Sequence, residues 1–161
     1  MSSGGPWQRF RRSVGAAALA WSCMIATAAA ADLRGRPEIL SGDRLIVAGK
    51  MVALYGALAP QQNQRCFDKS LPWWCGKYAR EHLDRLINGA EVVCLDKGRT
   101  EDGHLLGHCR LRDIDLSEAQ IAAGMAKADP RRGSAYLQVE QVARVAQTGI
   151  WHGNAEGTFV P

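Results

Sequence analysis

Residues 41–60 read SGDRLIVAGKMVALYGALAP, and their pattern decides the fold. Arg44 to Val47 (RLIV) and Lys50 to Tyr55 (KMVALY) are two strand-forming runs. The Ala48-Gly49 pair between them suits a tight hairpin. Ser41-Gly42 reads as a turn or bulge, and Glu38 to Leu40 as the tail of an earlier strand. Gly56 to Leu71 has little periodicity and three Gln, and reads as a long loop.

Outward from this block, a helix is predicted from about Trp73 to Ile87. Ala79, Leu83, Leu86 and Ile87 form its apolar stripe, and Asn88-Gly89 stops it. Glu91 to Leu95 and His104 to Leu111 are strands joined by the polar loop Asp96 to Gly103, hence an antiparallel hairpin. Asp115 is an N-cap with Glu118 three residues on, for a short helix Leu116 to Ala123 stopped by Gly124. Ser134 caps a last helix, Ala135 to Gln147, whose apolar face holds Tyr136, Val139, Ala143 and Ala146. The order β-β-β-α-β-β-α-α predicts an α+β, mainly β fold: a five-stranded Greek-key barrel of the OB type with about three helices.

The chain has 161 residues, 47% hydrophobic and 22% charged, which suits one globular domain and excludes a disordered or collagen-like chain. Arg9, Arg11 and Arg12 precede an uncharged run, Ser13 to Ala31, that ends in alanines. This reads as a secretory signal peptide over residues 1–31, leaving a domain over 32–161 that is exported to the periplasm or beyond, with no membrane span after cleavage. The formal net charge is +4, but that segment holds three Arg and no acid. Subtracting them from the 20 basic residues leaves 17 against 16 acidic, which is no nucleic-acid signature.

Cleavage also removes Cys23, leaving Cys66, Cys75, Cys94 and Cys109. An even count in an exported domain favours disulfides. Of three possible pairings, Cys66–Cys75 and Cys94–Cys109 are preferred: the first closes a short loop at a helix start, the second joins neighbouring strands. A zinc site using His104 or His108 is the rival, weakened by the absence of a C-x-x-C pair.

Several blocks in register resemble the staphylococcal nuclease-like (thermonuclease) domain. They are Gly42-Asp43, Leu54-Tyr55-Gly56, Ala59-Pro60, Pro72 to Gly76, Asp96-Lys97-Gly98, Asp102-Gly103, Asp115-Leu116 to Ala126, and Tyr136 to Trp151. The resemblance implies an OB barrel with outer helices and Ca²⁺-dependent hydrolysis of DNA and RNA. Such a site needs two metal carboxylates, a Glu acting on water, and two Arg for the charged transition state.

Carried over position by position, the resemblance puts the first metal carboxylate on Asp43, which is retained. The acidic residue two places earlier becomes Ser41, and the Thr after Asp43 becomes Arg44. The first arginine falls on Ala53, the second carboxylate on Leu58, the general base on Gln61 and the second arginine on His104. One of the five principal side chains survives, so an inactive, nuclease-like module of the cell envelope is expected, with no cofactor. Its ligand would be a nucleic acid, an envelope polysaccharide or a protein. The alternative is a metal-dependent phosphodiesterase rebuilt around Asp43, using Ca²⁺. Asp43 also suits a turn cap. Trp73 and Trp74 suit either a stacking platform for bases or sugars or an anchor to the core.

Overall fold

The computed structural model of the chain describes Met1 and residues 32–68 and 71–154. Beyond Met1, the expected signal peptide lies outside the described residues. β3 (Arg44–Val47) and β4 (Lys50–Leu54) form the expected hairpin. Its turn holds Ala48 at φ 47 and Gly49 at φ 75, the doubly positive backbone of a two-residue hairpin turn. Leu45, Val47, Val52 and Leu54 alternate into the core while Arg44 and Lys50 stay exposed.

The main sheet runs β1 (Leu33–Gly35), β8 (Val92–Arg99), β9 (Leu105–Leu111), β4, β3, β2 (Glu38–Ile39), with β10 (Ile114–Asp115) on β9. β4 lies parallel to β9, Ala53 opposite Leu106, so the chain crosses over between them. That crossover includes α1 (Cys75–Ile87), whose Ala79, Leu83 and Ile87 are buried as the stripe predicts. Its end is an Asn88 in the left-handed region at φ 46. The result is a mixed α+β, OB-like fold, a strand-dominated, barrel-like sheet with three α-helices.

Short pieces order the stretch expected to be a loop. β5 (Ala57–Leu58) pairs with β11 (Lys127–Ala128), and β6 (Cys66–Asp68) pairs with β7 (Leu71–Trp73). That pairing delays the start of α1 from Trp73 to Cys75. β8 continues into the expected polar loop as far as Arg99, with an irregularity between Asp96 and Arg99. Both disulfides are those preferred from the sequence, Cys66–Cys75 and Cys94–Cys109. Cys94 and Cys109 sit directly opposite each other on β8 and β9.

Asp115 caps α2 (Leu116–Ala122), accepting from the amides of Ser117 and Glu118 at 2.8 and 3.2 Å. Its other oxygen accepts from the Tyr136 hydroxyl at 2.6 Å and lies 2.9 Å from His108 Nε2. α3 (Tyr136–Val145) has no side-chain cap, so the expected Ser134 cap is corrected, and Ala146 is exposed rather than on the packed face. A 3₁₀ helix (Gly149–Asn154) follows, with Ile150 and Trp151 buried. Among the described residues no helix is long and apolar enough to cross a membrane.

Candidate functional site

Asp43 precedes β3, where the chain turns into the hairpin. Its Oδ1 accepts from the Ser41 hydroxyl at 2.7 Å and its Oδ2 from the Ala59 amide at 3.2 Å. The carboxylate thus ties the entry of β3 to the loop after β5. Burial pushes its pKa above the usual carboxylate value, opposed by those two hydrogen bonds and by Arg44.

Beside it lies an open cleft of about 290 Å³. Asp43, Ala53 and Leu58 line it together, so the fold gathers three of the five family positions. Ala53 comes from β4, and Leu58 is fixed by its register opposite Lys127. The other two positions are elsewhere. Gln61 is exposed, its amide donating to Gln64 Oε1 at 3.1 Å, and its backbone is pressed by the start of α1. A Cβ on Gly76 would stand 1.6 Å from the Gln61 carbonyl oxygen. His104 lines a different cavity of about 420 Å³, with Lys50, Asp96 and Arg99.

Other cleft residues come from far along the chain. Thr100, Glu101 and Asp102 reach it from the β8–β9 turn, and Asp129, Arg131 and Arg132 from the loop after β11. Asp129 and Thr100 carried no signal in the sequence, and Arg131-Arg132 reads there only as a small basic spot. Their signal would have been the pairing of β5 with β11, which carries that loop to the cleft.

The family's own calcium position keeps one of its two carboxylates, Asp43. Calcium takes six to eight oxygen ligands, about two or more of them from carboxylates in such sites. Asp43 offers one carboxylate whose two oxygens already accept protein hydrogen bonds, and Leu58 presents hydrocarbon. Among the described residues no group of three or more His, Cys, Asp and Glu is placed to share a metal ion.

The two tryptophans differ in burial. Trp73 is half-buried, packs against Cys66, Cys75, Ala143, Ile150 and Trp151, and meets the Tyr78 ring at 5.6 Å. Trp74 is exposed, with the Arg65 guanidinium 4.2 Å from its ring centre. His104 lines the other cavity, whereas His108 is engaged by Asp115.

The sequence model of a family described as staphylococcal nuclease homologue matches residues 52–153. The succinoglycan biosynthesis protein ExoI of Rhizobium meliloti (strain 1021) is 28% identical over 149 residues, covering 90% of this chain and 78% of that protein.

Proposed function

The chain belongs to the staphylococcal nuclease homologue family, and from that premise we propose that it binds without cutting, as an exported module of the cell envelope. One observation carries the reading. The only retained family carboxylate, Asp43, spends both oxygens on Ser41 and Ala59, and it shares its cleft with Ala53 and Leu58. A carboxylate held this way is a tie between β-elements.

The magnitudes support it. Loss of one transition-state donor costs roughly 10²–10³ in rate. Loss of a general base costs roughly 10²–10⁴. Such effects do not simply add, yet here both arginines, the base and a metal ligand are all replaced. Export is supported by the basic, then apolar, N-terminal segment and by two disulfides of the kind that oxidising compartments allow. An envelope glycan as ligand is supported by the succinoglycan biosynthesis protein among the relatives.

A second reading, a phosphodiesterase rebuilt around Asp43, is favoured by one fact: Glu101, Asp102 and Asp129 line the same cleft. Cleavage of single-stranded DNA and RNA by the purified protein, with Ca²⁺, Mg²⁺, Zn²⁺ or EDTA, separates the two. No cleavage by folded protein is expected. Metal-dependent cleavage that disappears in Asp43→Ala would establish the second reading instead.

A further inference from the structure

α1 ends on Asn88-Gly89, a pair that is exposed and left-handed at both residues, with φ 46 and 68. An asparagine followed by glycine holds a reaction in its own chain. The next backbone nitrogen can attack the side-chain amide carbon, and glycine sets no side chain beside that nitrogen. Among the described residues, neither the Asn88 carboxamide nor the Gly89 amide has a hydrogen-bond partner. A Cβ on Gly89 would meet nothing within 4 Å, so solvent reaches the pair. Two comparable pairs are held. The Gly103 amide after Asp102 donates to the Thr100 carbonyl at 3.0 Å, and the Gln64 amide after Asn63 donates to the Gln61 carbonyl at 2.8 Å.

The closed backbone withholds the attack. Asn88 stands at ψ 46. Tetrahedral geometry sets Cβ about a third of a turn from the backbone nitrogen around the Cα–C bond. At this ψ the Gly89 nitrogen therefore lies on the far side of that bond from the Asn88 side chain. Turning ψ to bring them together breaks the bond from the Ala90 amide to the Ile87 carbonyl, 2.9 Å long. It leaves Ile87 and Val92 buried at either end, so only the link over residues 88–91 has to open.

We propose that Asn88 is a site of covalent self-modification, gated by opening of the last turn of α1. The inference is independent of what the cleft does. In the open link, the Gly89 nitrogen gives its proton to hydroxide and bonds to Asn88 Cγ. The Cγ–Nδ2 bond breaks and ammonia leaves, closing a succinimide ring. Water then breaks one of the two imide C–N bonds, leaving an aspartate or an isoaspartate at that position. Asparagine and water thus become an acid and ammonia, with no change of oxidation state. Either product disfavours closure. Its carboxylate stands at the negative end of the α1 dipole, and isoaspartate adds a carbon to the main chain within the left-handed cap.

Peptide mapping by mass spectrometry tests this on the purified, disulfide-bonded protein, aged in mildly alkaline buffer made with heavy-oxygen water. Each event leaves a heavy oxygen in the product. Position 88 is expected to take up label while Asn63 keeps its amide. The folded chain should convert about ten- to a hundredfold more slowly than the same chain unfolded in urea, as a local opening near the end of a helix would set. Hydrogen exchange at the Ala90 amide reads the gate, and should rise together with conversion as urea is added below the global transition. Gly89→Ala places a methyl beside the attacking nitrogen and should lose most of the labelling in full urea, where its effect on the fold cannot intervene. Asn88→Asp, which copies one product, should melt below the parent by a margin that salt narrows. Label at Asn63 first, or unchanged labelling in Gly89→Ala, overturns the chemistry. A folded rate equal to the unfolded one overturns the gate, and so does one more than about a thousandfold slower, which global unfolding would set. Exchange at Ala90 that does not move with conversion also overturns the gate. An Asn88→Asp variant that melts with the parent overturns the effect on closure.

Discussion

At Asp43 a family position and a structural role meet in one side chain. Burial raises its pKa above that of the unfolded chain. In the window between the ordinary carboxylate value and the raised one, the folded chain keeps a proton that the unfolded chain has released. Stability therefore falls as pH rises through that window. Asp43→Asn removes the titration and keeps the means to satisfy Ser41 and Ala59, one with its oxygen and one with its amide. The variant should gain on the parent as pH rises, read from urea melts at stepped pH. A gain that shrinks with rising pH would contradict burial as the dominant cause. Asp43→Ala, by contrast, leaves the Ala59 amide without its acceptor and should cost about 1–3 kcal/mol.

Elements here are positioned by close backbone contacts and by the two covalent links. The first turn of α1 presses on the Gln61 carbonyl, where a Cβ on Gly76 would stand 1.6 Å away. Gly89 is different: it lies at φ +68 with nothing within 4 Å of the added carbon. Gly89→Ala should therefore cost about 1–2 kcal/mol for the left-handed backbone alone. Gly76→Ala should cost clearly more, because backbone must move, and thermal melts of the two variants side by side give the ranking. The disulfides differ in the same spirit. Cys94–Cys109 joins facing strands of the main core across 15 residues, and replacing both with Ala should cost about 3 kcal/mol. Cys66–Cys75 spans only 9 residues and staples the β6–β7 hairpin to α1. Its loss should speed amide exchange in residues 66–68 and 71–73 more than it lowers the global melting temperature. Equal protection with and without that disulfide would rule out the staple.

At the scale of the molecule, polar side chains connect the outer helices to the barrel. Gln120 on α2 is fully buried, donates to the carbonyls of Gly42 at 2.5 Å and Ala79 at 3.1 Å, and meets His82. It holds α2, α1 and the entry of β3 together. Glu140 on α3 accepts from the Ala128 amide and pairs with Arg144 at 2.6 Å, which in turn covers the Trp151 ring at 3.9 Å. Glu140→Ala should cost about 2 kcal/mol by chemical denaturation, less than breaking a wholly buried pair because Arg144 is partly exposed. A change within about 0.5 kcal/mol would show that α3 is held by its apolar face instead. The hairpin at residues 44–54, the stripe of α1 and the Asp115 cap are legible in the residues themselves, which also favour one of three cysteine connectivities. Each of these is written in local terms: alternation, helical spacing, a capping residue, and cysteines that close a short loop at a helix start or face each other on a hairpin. The sequence also places Ala53 and Leu58 where the family needs charge. Long-range contact instead pairs Leu71–Trp73 as a strand before α1, leaves α3 without a Ser134 cap, and sets His104 and Gln61 apart from the cleft. It alone brought Asp129, Arg131 and Arg132 to Asp43, across more than eighty residues of chain. The physical reason is the β5–β11 ladder. Two residues on each side are too short to show a period in sequence, and they find each other only once the barrel has set the distance between them.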